Sequence, residues 1–250
     1  MNKLVQPELG LLYPHWPAPS NVRALVTTRE AGPSQGAFAC FNLGDQVGDD
    51  PLVVAACRER LQKEAGGRPL NWLQQIHTDQ VATQFALGAK ADAAVATNSD
   101  YACVVLTADC LPVFFCDAQG TKVAVAHAGW RGLAAGVLEN TVKALDVDPS
   151  QILAWLGPAI GARVFEVGPE VRQAFLVSHP DAAAAFVPSP YRLKHYMADL
   201  YRLATQRLQQ AGVEQVFGGN FCTLTDEERF YSFRRDGQQS GRMASVIWLD

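Results

Sequence analysis

The amino-acid sequence predicts an α/β fold, in which one layered domain of mixed, largely antiparallel sheets is flanked by helices. Its 250 residues include 48% hydrophobic and 18% charged side chains, an ordinary balance for a globular protein with a substantial core. Short apolar runs and longer periodic segments alternate without strict βαβ order, which argues against a Rossmann fold. No internal repeat, low-complexity tract or linker divides the chain. Residues 1–250 are therefore predicted to form a single domain.

The N-terminal part is predicted to form a strand, a long loop and a helix. Residues 22–28 are rich in β-branched side chains and have polar or Pro-rich flanks, which indicates a strand. Residues 30–50 are rich in Gly, Pro, Ser and Asn, and a loop of that length in a compact domain is usually functional. Residues 51–64 begin with proline and end shortly before two glycines, so both ends of a helix are indicated.

The middle of the chain is predicted to be a succession of short strands, at residues 71–77, 80–85, 102–107, 112–116 and 122–128. A turn at 117–120 joins the last two of these strands. A Gly-rich corner at 129–132 then leads into a helix over 133–145. The C-terminal part is predicted to contain further strands and helices, with strands at 152–156, 215–218 and 245–249 and helices at 169–177 and 197–211.

Charge and composition exclude several classes of partner. The formal net charge is −4, whereas a general nucleic-acid-binding protein usually presents a basic face. The apolar runs are far too short to span a bilayer, and residues 1–19 lack the pattern of a secretory signal. The six cysteines form no CxxC pair, which favours reduced thiols over a disulfide framework. We expect a cytoplasmic protein without nucleic-acid or membrane partners.

Three residues are candidate ligands of a metal ion. His77, Cys110 and His127 each lie where a predicted strand gives way to a turn, the usual position for functional side chains on a rigid scaffold. Two imidazoles and a thiolate suit Zn²⁺ and leave a fourth position for water or substrate, and the same set could hold Cu²⁺. The three residues are far apart in sequence. Structural histidines and a buried thiol therefore remain an alternative interpretation of the same pattern.

Two arginine-containing segments are candidates for binding an anion. Arg131 lies in the Gly-rich corner directly before a predicted helix, where backbone amides and a guanidinium can bind a phosphate. Residues 230–242 combine three arginines, Arg234 among them, with aromatic side chains that could stack on a base. A solvated surface turn is the alternative explanation for each segment.

Eight segments of the chain together resemble a known family. They are 27–29 (TTR), 41–44 (FNLG), 47–50 (VGDD), 74–77 (QQIH), 107–112 (TADCLP), 126–132 (AHAGWRG), 157–161 (GPAIG) and 231–237 (YSFRRDG). In this order they resemble the bacterial laccase-domain or multicopper polyphenol oxidase family, whose members are now regarded as zinc-dependent purine nucleoside phosphorylases. The resemblance covers nearly the whole chain.

The resemblance implies a fold, a metal and an activity. The zinc ligands would be His77, Cys110 and His127. The implied reactions are phosphorolysis of adenosine, inosine, guanosine and methylthioadenosine, with hydrolytic deamination of adenosine as a further activity. The implied fold is a monomeric layered α/β domain similar to the cysteine-hydrolase-like toxin deamidases.

Further residue roles are hypotheses built on this resemblance. We expect Arg131, together with Arg58 or Arg234, to hold and orient phosphate for attack on the sugar carbon. Asp109 is adjacent to Cys110 and is predicted to orient a histidine ligand or to transfer a proton. We expect the substrate to contact residues of two further family-like segments, namely Phe41, Asn42 and Tyr231.

Three alternative functions remain at this point. Cys110 could be the nucleophile and His127 the base of a thiol hydrolase or deamidase. A copper-dependent oxidase of phenols is the second alternative, although several copper centres would need more than the five histidines present. Many family members have small or polar residues where this chain has residues 162–164, Ala-Arg-Val. We therefore expect no further metal ligand from that loop, which also argues against a multi-copper oxidase. A protein that binds nucleosides or metal without turnover is the third.

Overall fold

The structure, a computed structural model, describes residues 5–6 and 10–250. Residues 1–4 and 7–9, which belong to the 1–19 segment and to the predicted 1–250 domain, therefore lie outside the described residues. The strands are β1 (Val5–Gln6), β2 (Leu11–Leu12), β3 (Val22–Thr27), β4 (Leu70–Asn71), β5 (Val81–Ala82), β6 (Ala93–Ala96), β7 (Ala102–Thr107), β8 (Leu111–Asp117), β9 (Val123–Ala128), β10 (Ile152–Leu156), β11 (Glu166–Val167), β12 (Phe186–Pro188), β13 (Tyr196–Ala198), β14 (Gln215–Gly218) and β15 (Met243–Leu249). The helices are α1 (Pro51–Glu64), α2 (Trp130–Ala135), α3 (Val137–Leu145), α4 (Pro169–Leu176), α5 (Leu200–Gln210) and α6 (Phe233–Asp236).

Two six-stranded sheets form the centre of the molecule. The first has the order β1-β2-β3-β15-β7-β4 and the second the order β14-β10-β8-β9-β6-β5. A three-stranded sheet, β11-β13-β12, lies apart from them. Neighbouring strands are antiparallel except in the pairs β4–β7, β5–β6 and β10–β14. The structure thus confirms the prediction of an α/β fold with mixed, largely antiparallel sheets.

The layers follow from the alternation of side chains along each strand. In β8, Phe114 and Cys116 pack in the core between the two large sheets, while Val113 and Phe115 pack against the helices on the opposite face. The outer face of the first sheet packs on α1, through residues such as Leu61. Burial of both faces explains why β8 and β9 consist almost entirely of apolar residues. None of the described helices combines the length and hydropathy needed to cross a bilayer.

Several predicted bounds are confirmed, and others are wrong for local reasons. The helix at 51–64 and the strands at 102–107, 152–156 and 215–218 have the predicted ends. Only Leu70–Asn71 of the region around the predicted 71–77 strand pairs in a sheet. The Gln75 side chain instead bonds both backbone groups of Leu106, at 2.8 and 2.7 Å, and His77 has a φ of 59°, which a strand does not permit.

Two helix predictions are corrected by local residues, one by a glycine within the predicted span and one by a cap at the helix start. The helix predicted over 133–145 begins at Trp130 and is divided at Gly136, whose φ of 109° interrupts the right-handed backbone. The helix predicted over 197–211 begins at Leu200, because the Asp199 side chain caps it by accepting from Arg202 N. Residues before that cap form β13 instead. Of the predicted 80–85 strand only Val81–Ala82 forms, and the alanine-rich strand β6 was not predicted.

Candidate metal centre

The three predicted ligands meet at one end of the second sheet. Cys110 directly precedes β8, and the β8–β9 ladder pairs Pro112 with His127, so the hairpin register brings the thiol and this imidazole together. His77 approaches from the loop after β4. The candidate ligand atoms of the three residues all lie within 4.8 Å of one another, and Cys110 Sγ is 3.9 Å from His77 Nε2. His127 is buried, Cys110 is half-buried and His77 is exposed, so the cluster opens toward solvent on one side.

A buried carboxylate that sequence reasoning missed organises both histidines. Asp92 is fully buried, and its Oδ1 lies 2.7 Å from His127 Nδ1 and accepts the His77 N–H at 3.0 Å. Its Oδ2 accepts the backbone N–H groups of Ile76 at 3.1 Å and Thr78 at 2.7 Å. The carboxylate thereby stabilises the left-handed conformation of His77. It also fixes the ring of His127 so that Nε2 is the nitrogen available to a metal.

Asp92 is ionised in this environment. Burial raises the pKa of Asp92, but the hydrogen bonds from His127 and from the N–H groups of Thr78 and Ile76 outweigh that effect and bring it below its ordinary value. The sequence held one indication that Asp92 has a role in the interior. This aspartate lies inside an otherwise apolar run, Ala91 to Ala96. A charged residue in such a run requires buried partners. The sequence alone could not show which partners these are.

The Cys110 thiol and the buried His127 imidazole shift each other's pKa. Burial raises the pKa of the Cys110 thiol, yet the adjacent His127 and His77 imidazoles lower it to about 6. Burial lowers the pKa of His127, but the Cys110 thiolate and Asp92 raise it to about 9. The protein without a metal therefore favours a thiolate beside an imidazolium at neutral pH. A thiolate is the form of cysteine that binds metals or acts as a nucleophile.

Close packing at Gly129 shapes the cluster. A Cβ atom at this position would lie 2.9 Å from Cys110 Sγ and 3.0 Å from His77 Cδ2. The backbone of Gly129 has φ −60° and ψ 155°, which any residue can adopt. Glycine is therefore required here for space, because the chain passes directly against two of the three candidate ligands.

Asp109 has a different set of contacts from the one predicted. Its Oδ1 accepts the Thr223 hydroxyl at 2.6 Å, and its Oδ2 accepts the Ser232 hydroxyl at 3.0 Å and the Arg234 N–H at 2.7 Å. The prediction that Asp109 orients a histidine is therefore not supported by its contacts, since the carboxylate on His127 belongs to Asp92. Asp109 instead connects the Cys110 loop to the segments before and within α6.

Three residues predicted to contact substrate lie in the interior. Asn42, Phe41 and Tyr231 are each 0% exposed. The Tyr231 hydroxyl donates to the Phe38 carbonyl at 2.5 Å, and Asn42 Oδ1 accepts the Arg242 N–H at 2.9 Å. Their contacts support loops around the site, and direct contact with a ligand would require these loops to move.

The predicted phosphate-binding arginines divide into two groups. Arg58 donates twice to the Leu43 carbonyl, at 3.0 and 2.9 Å, and pairs with Asp45 at 3.1 Å. The Arg58 guanidinium also lies 4.3 Å from the Trp72 ring centre. Contacts within the protein therefore already occupy this side chain. Arg131 and Arg234 are exposed and line one cleft of about 570 Å³.

Comparison with known proteins identifies the family. A family model described as "Multi-copper polyphenol oxidoreductase laccase" matches residues 23–250. The chain belongs to this family. It is 53% identical over 241 residues, covering 95% of this chain and 98% of the relative, to a Pseudomonas aeruginosa protein named "Purine nucleoside phosphorylase PA4543". It is 49% identical over 244 residues, covering 96% of this chain and 98% of the relative, to "Purine nucleoside phosphorylase YfiH" of Escherichia coli.

A solved structure of a relative has the same fold. The crystal structure of Neisseria meningitidis protein NMB0706 superposes with a TM-score of 0.92 at 49% sequence identity, covering 96% of this chain and 99% of that chain. The similarity extends through both large sheets and the surrounding helices, because nearly all of each chain is included. It confirms a mixed α/β architecture and does not test the predicted similarity to toxin deamidases.

Proposed function

We propose that this protein is a metal-dependent purine nucleoside phosphorylase that acts on adenosine, inosine, guanosine and methylthioadenosine. One observation carries the proposal: His77, Cys110 and His127 converge within 4.8 Å in a chain that is 53% identical to a protein named purine nucleoside phosphorylase. Deamination of adenosine is proposed as a second activity of the same centre. We further propose that residues 1–250 act as one monomeric domain in the cytoplasm.

The side chains present fit a metal ion. A tetrahedral zinc ion with bonds of about 2.3 Å to sulfur and about 2.0 Å to nitrogen separates the two ligand atoms by roughly 3.6 Å. The Cys110 Sγ to His77 Nε2 distance of 3.9 Å is close to that value. His127 would bind through Nε2, because Asp92 occupies Nδ1. The ligand set favours Zn²⁺, with Cu²⁺ as the alternative. When bound, the metal would supply Lewis acidity and an open ligand position.

The reaction exchanges one bond for another at the sugar. Phosphorolysis breaks the bond between C1′ and the purine nitrogen and forms a bond between C1′ and a phosphate oxygen. The proton of hydrogen phosphate ends on the purine nitrogen, so atoms and charge balance. Arg131 and Arg234 would hold the phosphate and orient it toward C1′. Asp109 would position Arg234 through the hydrogen bond to its backbone N–H, 2.7 Å long.

A thiol hydrolase or deamidase is the second candidate, and one observation favours it. Asp92, His127 and Cys110 form a connected acid, imidazole and thiol, with the His127 Nδ1 held at 2.7 Å and the pKa of Cys110 lowered to about 6. The same arrangement also serves metal binding. Activity that survives removal of the metal and is abolished by alkylation of Cys110 would favour the hydrolase.

A multi-copper oxidase is less consistent with the site. Over residues 10–250, the one cluster of three or more His, Cys, Asp or Glu side chains close enough to share a metal ion is His77, Cys110 and His127. Oxidases that use several copper centres need several such clusters. Metal analysis and oxygen uptake with a phenolic substrate would test this candidate directly.

The test is product analysis with metal-quantified protein. Adenosine is incubated with and without inorganic phosphate, and adenine, ribose 1-phosphate and inosine are measured. We expect phosphate-dependent release of adenine and ribose 1-phosphate by the wild type and by Cys40→Ala, and none by Cys110→Ala. Absence of both base release and inosine at every metal loading would exclude the proposed function.

A further inference from the structure

A cleft beside the candidate metal centre gathers cationic side chains from separate parts of the chain. Arg131, Arg192, Arg234 and His195 line it, in a volume of about 570 Å³. Arg131 belongs to α2 and Arg234 to α6, while Arg192 and His195 lie in the segment between β12 and β13. Since the chain as a whole has a net charge of −4, this convergence is not a consequence of general basicity.

The arginine side chains retain donors for a ligand. The Arg131 guanidinium lies 4.3 Å from the Trp130 ring centre, and that of Arg234 lies 5.4 Å from the Phe165 ring centre. Arg234 uses Nη1 to donate to the Glu166 carbonyl at 3.0 Å, which leaves its other nitrogens available. Within residues 10–250 the three cleft arginines form no ion pair. Stacked guanidinium groups with free donors are suited to a phosphate.

Arg192 and His195 form a connected pair at the edge of the cleft. Arg192 Nη1 lies 3.2 Å from His195 Nε2, and His195 Nδ1 lies 3.2 Å from the Leu193 carbonyl oxygen. Both side chains are at or near the surface, so the pair can rearrange without disturbing the core. Two acidic side chains, Glu166 and Glu170, also line the cleft, and the Ser189 hydroxyl donates to Glu166 Oε1.

The segments that line the cleft are connected through the backbone to the segments that carry the candidate metal ligands. Trp130 and Arg131 follow His127 after only two residues, and a Cβ at Gly132 would lie 2.8 Å from the Thr78 carbonyl oxygen. On the other side, Arg234 N is bonded to Asp109, the residue before Cys110. A ligand in the cleft therefore lies next to the segments that carry all three candidate ligands.

We propose that this cleft is the phosphate subsite and that Arg192 and His195 complete it together with Arg131 and Arg234. The proposal rests on the proposed function for the identity of its ligand, which is inorganic phosphate or the phosphate group of ribose 1-phosphate. Its volume exceeds that of phosphate alone and leaves room for the attached sugar. The cleft binds the phosphate by paired N–H donors, and the aromatic rings fix the direction of two guanidinium groups.

The test is direct binding to the metal-loaded protein, without turnover. Dissociation constants for inorganic phosphate and for ribose 1-phosphate are measured by calorimetry with the wild type, Arg192→Ala, Arg234→Ala and Arg192→Lys. Arg202→Ala, an exposed arginine on α5 outside the cleft, is the matched control for loss of one positive charge. We expect each cleft alanine variant to weaken binding roughly tenfold or more, Arg192→Lys to weaken it less, and the control to stay within about twofold.

The outcomes separate this proposal from the proposed function. Phosphate binding that depends on Arg192 and Arg234 in a protein without phosphorolysis supports the cleft and refutes the function. Phosphorolysis with an unchanged KM for phosphate and unchanged binding in both alanine variants overturns the cleft and leaves the function intact. Loss of ribose 1-phosphate binding alone assigns the cleft to the sugar ester. Thermal denaturation of each variant verifies that the surface substitutions leave the fold unchanged.

Discussion

Asp92 and His127 are joined twice, once through side chains and once through the backbone. Asp92 Oδ1 lies 2.7 Å from His127 Nδ1, and the Asp92 carbonyl oxygen accepts the His127 N–H at 2.6 Å. The backbone bond belongs to the edge of the β6–β9 pairing, so the sheet itself aligns the carboxylate with the imidazole. The Asp92 carboxylate also accepts hydrogen bonds from the backbone N–H groups of residues 76–78. One residue therefore positions two of the three candidate ligands.

Asp92→Asn is expected to weaken metal binding about 10- to 100-fold. The amide replaces an acceptor oxygen by a donor, which then faces N–H groups of residues 76–78 or the His127 ring. Competition with a chromophoric chelator measures the affinity. Asp117→Asn is the matched control, because Asp117 is also buried and accepts N–H groups of Thr121 and Lys122, both at 2.7 Å, at the far end of β8. Equal affinity of wild type and Asp92→Asn would contradict the positioning role.

Gly129→Ala is expected to reduce metal affinity on the order of tenfold while leaving the backbone unstrained. The added methyl group would lie 2.9 Å from Cys110 Sγ, and the backbone conformation suits alanine. Gly136→Ala provides the opposite case, since its φ of 109° strains an alanine by about 1–2 kcal/mol without contact to the ligands. Metal titration and urea denaturation of both variants measure the two effects. A Gly129→Ala protein with wild-type affinity would show that the site tolerates displacement of its ligands.

Cys110 is expected to react as a thiolate in protein stripped of metal. Its pKa is lowered to about 6, so modification by iodoacetamide should rise with pH around a midpoint near 6. The same cysteine in the urea-unfolded chain should titrate near about 8.5. Pulsed alkylation with mass spectrometry of the Cys110 peptide gives both curves. His127→Ala should move the folded midpoint upward, because the imidazole is the main group that lowers the pKa. A midpoint above about 8 in the folded wild type would refute the expectation.

Tyr231→Phe is expected to affect stability and leave substrate affinity unchanged. The Tyr231 side chain is fully buried, and its hydroxyl donates to the Phe38 carbonyl at 2.5 Å. Loss of this bond should lower the free energy of unfolding by about 0.5–1.5 kcal/mol. Urea denaturation and the KM for adenosine are measured on the same preparation. A raised KM with unchanged stability would restore the sequence-based prediction of a substrate contact.

The sequence by itself determined the class of fold and several of its elements. The strands Ala102–Thr107 and Ile152–Leu156 and the helix Pro51–Glu64 have the predicted ends, because local side-chain pattern and end signals agree there. The family resemblance named His77, Cys110 and His127, and the structure brings these residues together. Their roles as ligands remain a prediction until metal is measured.

Only the tertiary structure decided which groups surround those three residues. Asp92 lies far from His127 in sequence, and its partners become neighbours only when β6 pairs with β9. The loop before His77 departs from a strand because Gln75 bonds Leu106 across the first sheet, a contact that no local pattern encodes. The cleft that holds Arg192 likewise joins segments distant in the chain. Hydrophobic periodicity specifies which side chains are buried, whereas the position of each polar partner depends on strand pairing between distant segments.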